Sequence, residues 1–299
     1  MKNTSILKKT ALAAILALST SADQSFAQNP NYAPGDLLLY FQQFGGTQTA
    51  MVNLGTAFSY RDRTTDNLNF INIGSTLTGS VVSGGAAFPA NWYDDPTIFW
   101  GLAAVRSNST STSAQVDGDP GRTIYVSAPR TGVGTAGAAE SQPWTFGSAG
   151  FMTTGANAVI NMVNRMETIA TTSIFVEPNS TSNVDLQNPF NIAGSTTTAF
   201  SSFPGGVMGS FNTGTFGTIG GVTAEGALDL YRILATTSPV GTVVEPGETA
   251  LNGSYQGTFA IDQMGSVSYI VPVPEPATVG LLASAALVGL ARRRRSIRA

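Results

Sequence analysis

Tyr255-Gln-Gly-Thr-Phe-Ala-Ile-Asp-Gln-Met-Gly-Ser-Val-Ser-Tyr-Ile-Val271 decides the class to which the body of this chain belongs. Tyr255, Phe259 and Ile261 fall on one face at a two-residue period, Gly265-Ser266 supplies a turn, and Val267, Tyr269 and Val271 return with the same period. That period marks strands buried on one face, and glycine between two such runs makes a hairpin.

Upstream segments repeat the pattern. Leu228, Leu230, Ile233 and Leu234 mark a strand around Asp229 and Tyr231. Thr97–Val105 and Thr123–Ser127 read as strands separated by a Ser/Thr-rich loop. Near the start, Tyr32-Ala-Pro-Gly-Asp leads into Leu37–Phe41, and Thr49–Gly55 is its hairpin partner across Gly45-Gly46. One helix is expected over 154–170, where Ala156, Val159, Ile160, Val163, Met166 and Ile169 keep a 3.6-residue period. A shorter helix is expected near Ser75–Val82, and residues 193–221 read as long loops or a sheet edge. The expected fold is mainly β: a β-sandwich-like domain with one or two helices laid on it.

Charge is distributed unevenly. Only 11% of the 299 residues are charged, well below the usual quarter. All three lysines (Lys2, Lys8, Lys9) lie at the extreme N-terminus, and Arg292, Arg293, Arg294, Arg295 and Arg298 lie at the other end. Between Gln28 and Val273 there are 7 Arg and 16 Asp plus Glu, so the body carries 7 − 16 = −9. An acidic, lysine-free body repels phosphate backbones, which argues against nucleic-acid binding. With no Cys and no His, the chain forms no disulfide, no histidine-dependent triad and no thiolate or imidazole zinc site. No cofactor and no metal is expected.

The two ends read as targeting segments. Residues 1–27 have the form of a secretory signal peptide: a lysine-bearing start, an apolar run over Thr10–Ser19, and Ser25-Phe26-Ala27, which places small side chains where signal peptidase cuts, after Ala27. Residues 28–271 form the mature domain, and 272–299 a sorting and anchoring segment. In that segment Pro274-Glu275-Pro276 is stiff and extended. Ala277–Ala291 has no charge. At about 1.5 Å rise per residue it spans roughly 22 Å as a helix, somewhat short of a bilayer core of ~30 Å. The arginine run snorkels to the headgroups and holds the C-terminus on the cytoplasmic side of a transmembrane helix, with the body outside.

Taken together, Pro274, Glu275, Pro276, the uncharged stretch and Arg292–Arg295 resemble the PEP-CTERM sorting signal. The resemblance implies a bacterial protein that signal peptidase and then exosortase process, leaving it in the envelope or outside the cell among exopolysaccharide or biofilm matrix. The body is also similar to exported PEP-CTERM proteins of unassigned activity through Pro34–Leu38, Val52–Gly55, Leu228–Arg232 and Gly257–Phe259. This second likeness implies no catalytic residue.

The chain is therefore expected to be a non-catalytic surface or matrix protein, not an enzyme, with extracellular polysaccharide as a candidate partner. Two alternatives rest on particular residues. Trp92, Tyr93 and Trp100 are candidate glycan-stacking aromatics of a carbohydrate-binding module. Asp94-Asp95 beside them offers the carboxylates a glycoside hydrolase needs, although adjacent residues on an extended segment point to opposite sides. Asp117–Gly121 has oxygen ligands suited to Ca²⁺ but reads better as a solvated turn. Asp62 and Asp66 around Arg61 and Arg63 read as a charged surface loop, and Gly132–Gly137 lacks the Lys-Ser/Thr of a phosphate loop.

Overall fold

The structure is a computed structural model that describes residues 33–43, 48–78, 88–106, 117–140, six helical positions between 152 and 160, and residues 174–178, 208–211, 216–238 and 240–273. Among the described residues twelve strands follow in chain order: β1 (Asp36–Gln43), β2 (Gln48–Thr56), β3 (Asn67–Asn72), β4 (Ile98–Val105), β5 (Ile124–Pro129), β6 (Ile174–Pro178), β7 (Met208–Ser210), β8 (Gly217–Ile219), β9 (Val222–Ala224), β10 (Gly226–Ile233), β11 (Gly253–Ile261) and β12 (Ser266–Ile270). Two short helices, α1 (Phe58–Arg61) and α2 (Gly74–Thr78), and a 3₁₀ turn at Trp92–Asp94 join them.

Ten strands make one sheet in the order β3-β12-β11-β10-β5-β4-β1-β2-β6, with β7 added to β4, and β8 pairs with β9 as a separate ribbon. All pairings are antiparallel. This corrects the expected sandwich: the main body is an open, curled sheet rather than two stacked sheets. The curl shows in α1, which follows β2 near one end of the strand order. Its Tyr60 ring lies 5.0 Å from Tyr269 of β12 and 5.2 Å from Phe259 of β11, near the other end.

Curling buries one face of the strands, and helical residues between 152 and 160 cover the other. The concave face collects Leu37, Leu39, Phe41, Val52, Trp100, Leu102, Leu228, Leu230, Phe259 and Tyr269 into the larger core. The opposite face collects Leu38, Tyr40, Met51, Val126, Tyr231 and Ile233, together with Met152, Ala156 and Val159. Ala156 and Val159 belong to the helix expected over 154–170, whose described positions 156, 157, 159 and 160 are helical. Its remainder lies outside the described residues. Leu37 and Leu38, adjacent in β1, serve different cores, as a period of two requires.

Glycines permit the close approaches. Tyr40 pairs with Gly101 across β1 and β4, and a Cβ at Gly101 would collide with the Tyr40 ring. On β11 the register slips so that Leu230 faces Gly257 while Tyr231 faces Tyr255. This bulge leaves Gly257 at φ 130°, open to the Tyr269 ring. The Tyr269 hydroxyl donates to the Tyr60 carbonyl at 2.9 Å and to the Gln256 carbonyl.

Candidate functional site at the exit of the C-terminal segment

The last described residues, Val271-Pro272-Val273, follow β12 and run beside the loop after β5, residues 131–140. That loop is short of bulk (Thr-Gly-Val-Gly-Thr-Ala-Gly-Ala-Ala before Glu140) and forms no helix or strand. What shapes it is a charge placed where the sequence is otherwise apolar. Arg130, at the end of β5, has a fully buried side chain. It pairs with the equally buried Asp229 of β10 at 2.7 Å.

The remaining guanidinium donors hold the loop. Nη1 also donates to the Ala138 carbonyl at 2.9 Å and to the Thr258 hydroxyl at 3.1 Å, while Nη2 donates to the Val133 carbonyl at 2.8 Å. Asp229 Oδ2 accepts the Glu140 amide at 2.8 Å, and Oδ1 accepts the Thr258 hydroxyl at 2.7 Å. Glu140 closes the ring by accepting the Thr131 amide and hydroxyl at 2.8 and 2.7 Å. Burial pushes the Glu140 carboxyl up, but the Thr131 hydroxyl, the Thr131 and Gly132 amides and the Arg130 guanidinium bring it below the ordinary carboxylate range. A loop with little apolar content is thus fixed from beneath by an ion pair and its carbonyl acceptors.

The fixed loop grips the departing chain. Val273 donates its amide to the Gly137 carbonyl at 2.7 Å. Gly137 sits at φ 74°, and a Cβ there would come within 2.7 Å of the Val271 carbonyl and 2.9 Å of the Val273 nitrogen. Only glycine meets both demands without strain. On the other side Val271 donates its amide to Asp66 Oδ1 at 2.9 Å. Beneath the exit, Ile219, Val222, Ala224, Ala227, Ala260 and Ile270 form a small apolar cluster, with Val133, Ala136 and Phe216 against it.

The segment gripped here begins a recognisable motif. Residues 272–295 match the PEP-CTERM protein-sorting motif. No curated protein and no solved structure matches the chain. The sorting motif supports an exported protein that exosortase sorts, with processing and membrane association implied. Pro274-Glu275-Pro276, Ala277–Ala291 and Arg292–Arg295 lie within the matched range but outside the described residues, and the signal peptide with its cleavage after Ala27 also lies outside them. Among the described residues no helix is long and apolar enough to cross a membrane.

The other residues singled out for their chemistry find different surroundings. Trp92 and Trp100 are each 1% exposed. Phe41 meets Trp92 edge-on at 6.2 Å and stacks on Trp100 at 6.1 Å, and Phe211 packs against both at 4.9 and 5.8 Å. The glycan-stacking expectation is corrected accordingly: these indoles complete the core and present no face to a sugar. Tyr93 is half-buried beside Trp92 at 5.7 Å. Asp95 caps the turn into β4, accepting the Thr97 amide at 2.8 Å and hydroxyl at 2.6 Å.

Asp119 and Arg61 also differ from expectation. Neither is a solvated surface charge. Asp119 accepts from Arg232 at 2.6 Å, Arg61 at 3.0 Å and the Tyr125 hydroxyl at 2.8 Å. Arg232, fully buried on the concave side of β10, also pairs with Glu248 at 2.8 Å and donates to the Val243 carbonyl at 2.9 Å. Donors fixed on every side saturate these carboxylates, an arrangement that binds loops to the sheet. Sequence reasoning missed both buried networks; the available signal was an ion on each face of an otherwise apolar strand, Asp229 and Arg232 in Gly226–Ile233.

Proposed function

We propose that the chain is an exosortase-processed surface or extracellular-matrix protein with a non-catalytic, adhesive or structural role among exopolysaccharide. In this reading its C-terminus is cytoplasmic until cleavage, and signal peptidase removes residues 1–27. The observation that carries it is the sorting motif at residues 272–295. The saturated ionic networks support a scaffold role, and the net negative charge of the body keeps its copies dispersed.

The test is fractionation of the native host with and without its exosortase, followed by mass spectrometry of both mature ends. The expected result is a start at Gln28 in both hosts, and loss of the arginine tail only where exosortase is present. A full-length tail in both hosts, or a cytoplasmic mature protein, overturns the proposal. For its non-catalytic part the critical carboxyl is Glu225, which burial first, and then Asp94 and Asp262, push above the ordinary range. Such an acid is what a glycosidase proton donor requires. Reducing sugar released from exopolysaccharide by the protein, and not by Glu225→Gln, would make it a hydrolase instead.

A further inference from the structure

We infer that the end of the sheet from which the C-terminal segment departs rests on the bilayer surface, and that the loop between β10 and β11 lays Val240, Val243 and Val244 into the lipid interface there. This rests on the membrane-anchored reading above and adds to it the face that the body turns to the membrane and the residues that touch it.

Strand register fixes which end that is. Thr258 of β11 faces Ile270 of β12, and Gly253 of β11 faces Ile233 of β10. Because β11 and β12 are antiparallel, the chain beyond Ile270 runs toward Gly253, where the β10–β11 loop joins the sheet. The turn between β11 and β12, with Met264, is at the opposite end. Six large hydrophobics are exposed among the described residues, and four of them are at the exit end: Val240, Val243, Val244 and Val273, at 98, 43, 44 and 60%. The first three do not hang on a slack loop. The Val243 amide donates to the Gly118 carbonyl at 3.0 Å, and its own carbonyl accepts from buried Arg232 at 2.9 Å. Glu248 accepts the Glu245 amide at 2.9 Å. Three valines fixed within five residues are a patch and not a scatter of single side chains.

Tether length and charge identify lipid as the cover. Only Pro274, Glu275 and Pro276 separate Val273 from the uncharged residues 277–291. At about 3.1 Å per residue in the extended form that proline favours, they reach roughly 9 Å. The headgroup layer on one side of a bilayer is roughly 5–8 Å deep, half the difference between its full and hydrocarbon thickness. With 277–291 in the hydrocarbon, the tether is used up in crossing that layer, and the body cannot stand clear of the surface. Thr56, Val105 and Ile124 share the exit end with Ile233, which brings Arg61, Arg63, Arg106 and Arg122 there beside Arg232. These arginines offset most of the acids at that end. The far end gathers Asp94, Asp95, Glu225 and Asp262 and, the buried Arg130 aside, has no basic residue among those described. Headgroup phosphates repel the far end and leave the balanced one for contact.

The chain has no cysteine, so a fluorophore on Val240→Cys, or on Met264→Cys as the control, is unique. The full chain with one label is reconstituted into phosphatidylcholine vesicles, with and without a nitroxide carried on the lipid near its headgroup. The nitroxide is expected to quench the Val240 label about threefold or more beyond the Met264 label. Val244→Asp is expected to lower quenching at Val240 to the Met264 level, and Val244→Leu to leave it high; Val244 is exposed, so both variants keep the fold, which circular dichroism checks. Equal quenching of the two labels on a chain that floats with the vesicles overturns the inference and leaves the anchoring intact. A Val240 label that shifts to the blue without being quenched means that a second copy covers the loop, and also overturns it. A chain that does not float with the vesicles overturns both readings.

Discussion

Asp229→Ala removes the acceptor beneath the exit loop, and its cost follows from what each partner loses. Arg130 is left fully buried with carbonyl oxygens and with Glu140, whose nearest oxygen is 3.8 Å away. Removing one member of a buried pair typically costs about 3–5 kcal/mol, because a desolvated charge loses its counter-ion. The Thr258 hydroxyl keeps Tyr255 as a partner at 2.7 Å, so it adds little. The Glu140 amide is only part-buried and regains water. The total should therefore stay within that range. For a domain of this size about 2–4 °C accompanies each kcal/mol, so the melting temperature should fall by roughly 6–20 °C. Thermal and urea unfolding followed by circular dichroism on the exported protein measure it. Arg130→Met alone should cost a similar amount, and Asp229→Leu with Arg130→Met much less than the sum, since no charge is then stranded. A loss below about 1 kcal/mol for Asp229→Ala, the value of an exposed pair, would show that the pair is hydrated and that the loop is not held this way.

Two further outcomes test other parts of the fold. Glu140 titrates below its unfolded value, so its contribution is complete above that value and disappears as pH falls through the folded one; the stability gap between the unaltered chain and Glu140→Gln should close as pH falls through and below the ordinary carboxylate range. Gly101→Ala places a methyl in the Tyr40 ring and should cost about 1–3 kcal/mol by overpacking, read as a lower urea midpoint with an unchanged slope.

Much of the sheet was legible because most of its strands keep a two-residue period; the bulge in β11 breaks it, so that Tyr255 packs on one core and Phe259 and Ile261 on the other, where alternation put all three on one face. The hairpin of β11 and β12 pairs Phe259 with Tyr269 and Ile261 with Val267, the partners their alternation implies. β1 and β2 pair across Gly45-Gly46, as the glycine break between two apolar runs implies. The architecture was less legible. β3, β6 and β7 carry weak patterns: Asn67–Asn72 mixes three asparagines with Leu68 and the adjacent Phe70 and Ile71 on a half-exposed edge, without alternation. A sandwich and a curled sheet also ask the same alternation of each strand, since the concave side of a curl buries residues as a second sheet would. Partner choice is written in long-range pairing, which periodicity does not carry. The grip was illegible for the same reason: nothing in Gly132–Gly137 announces that residues over a hundred positions away will lie against it.

β10 binds an anion on one side, Asp229 to Arg130, and a cation on the other, Arg232 to Asp119 and Glu248. Sliding that strand by one residue would turn Asp229 toward two carboxylates and strip Arg232 of both counter-ions. A chain with no cystine to pin its threads therefore carries its own guard against mis-threading: the wrong alignment sets like charges face to face.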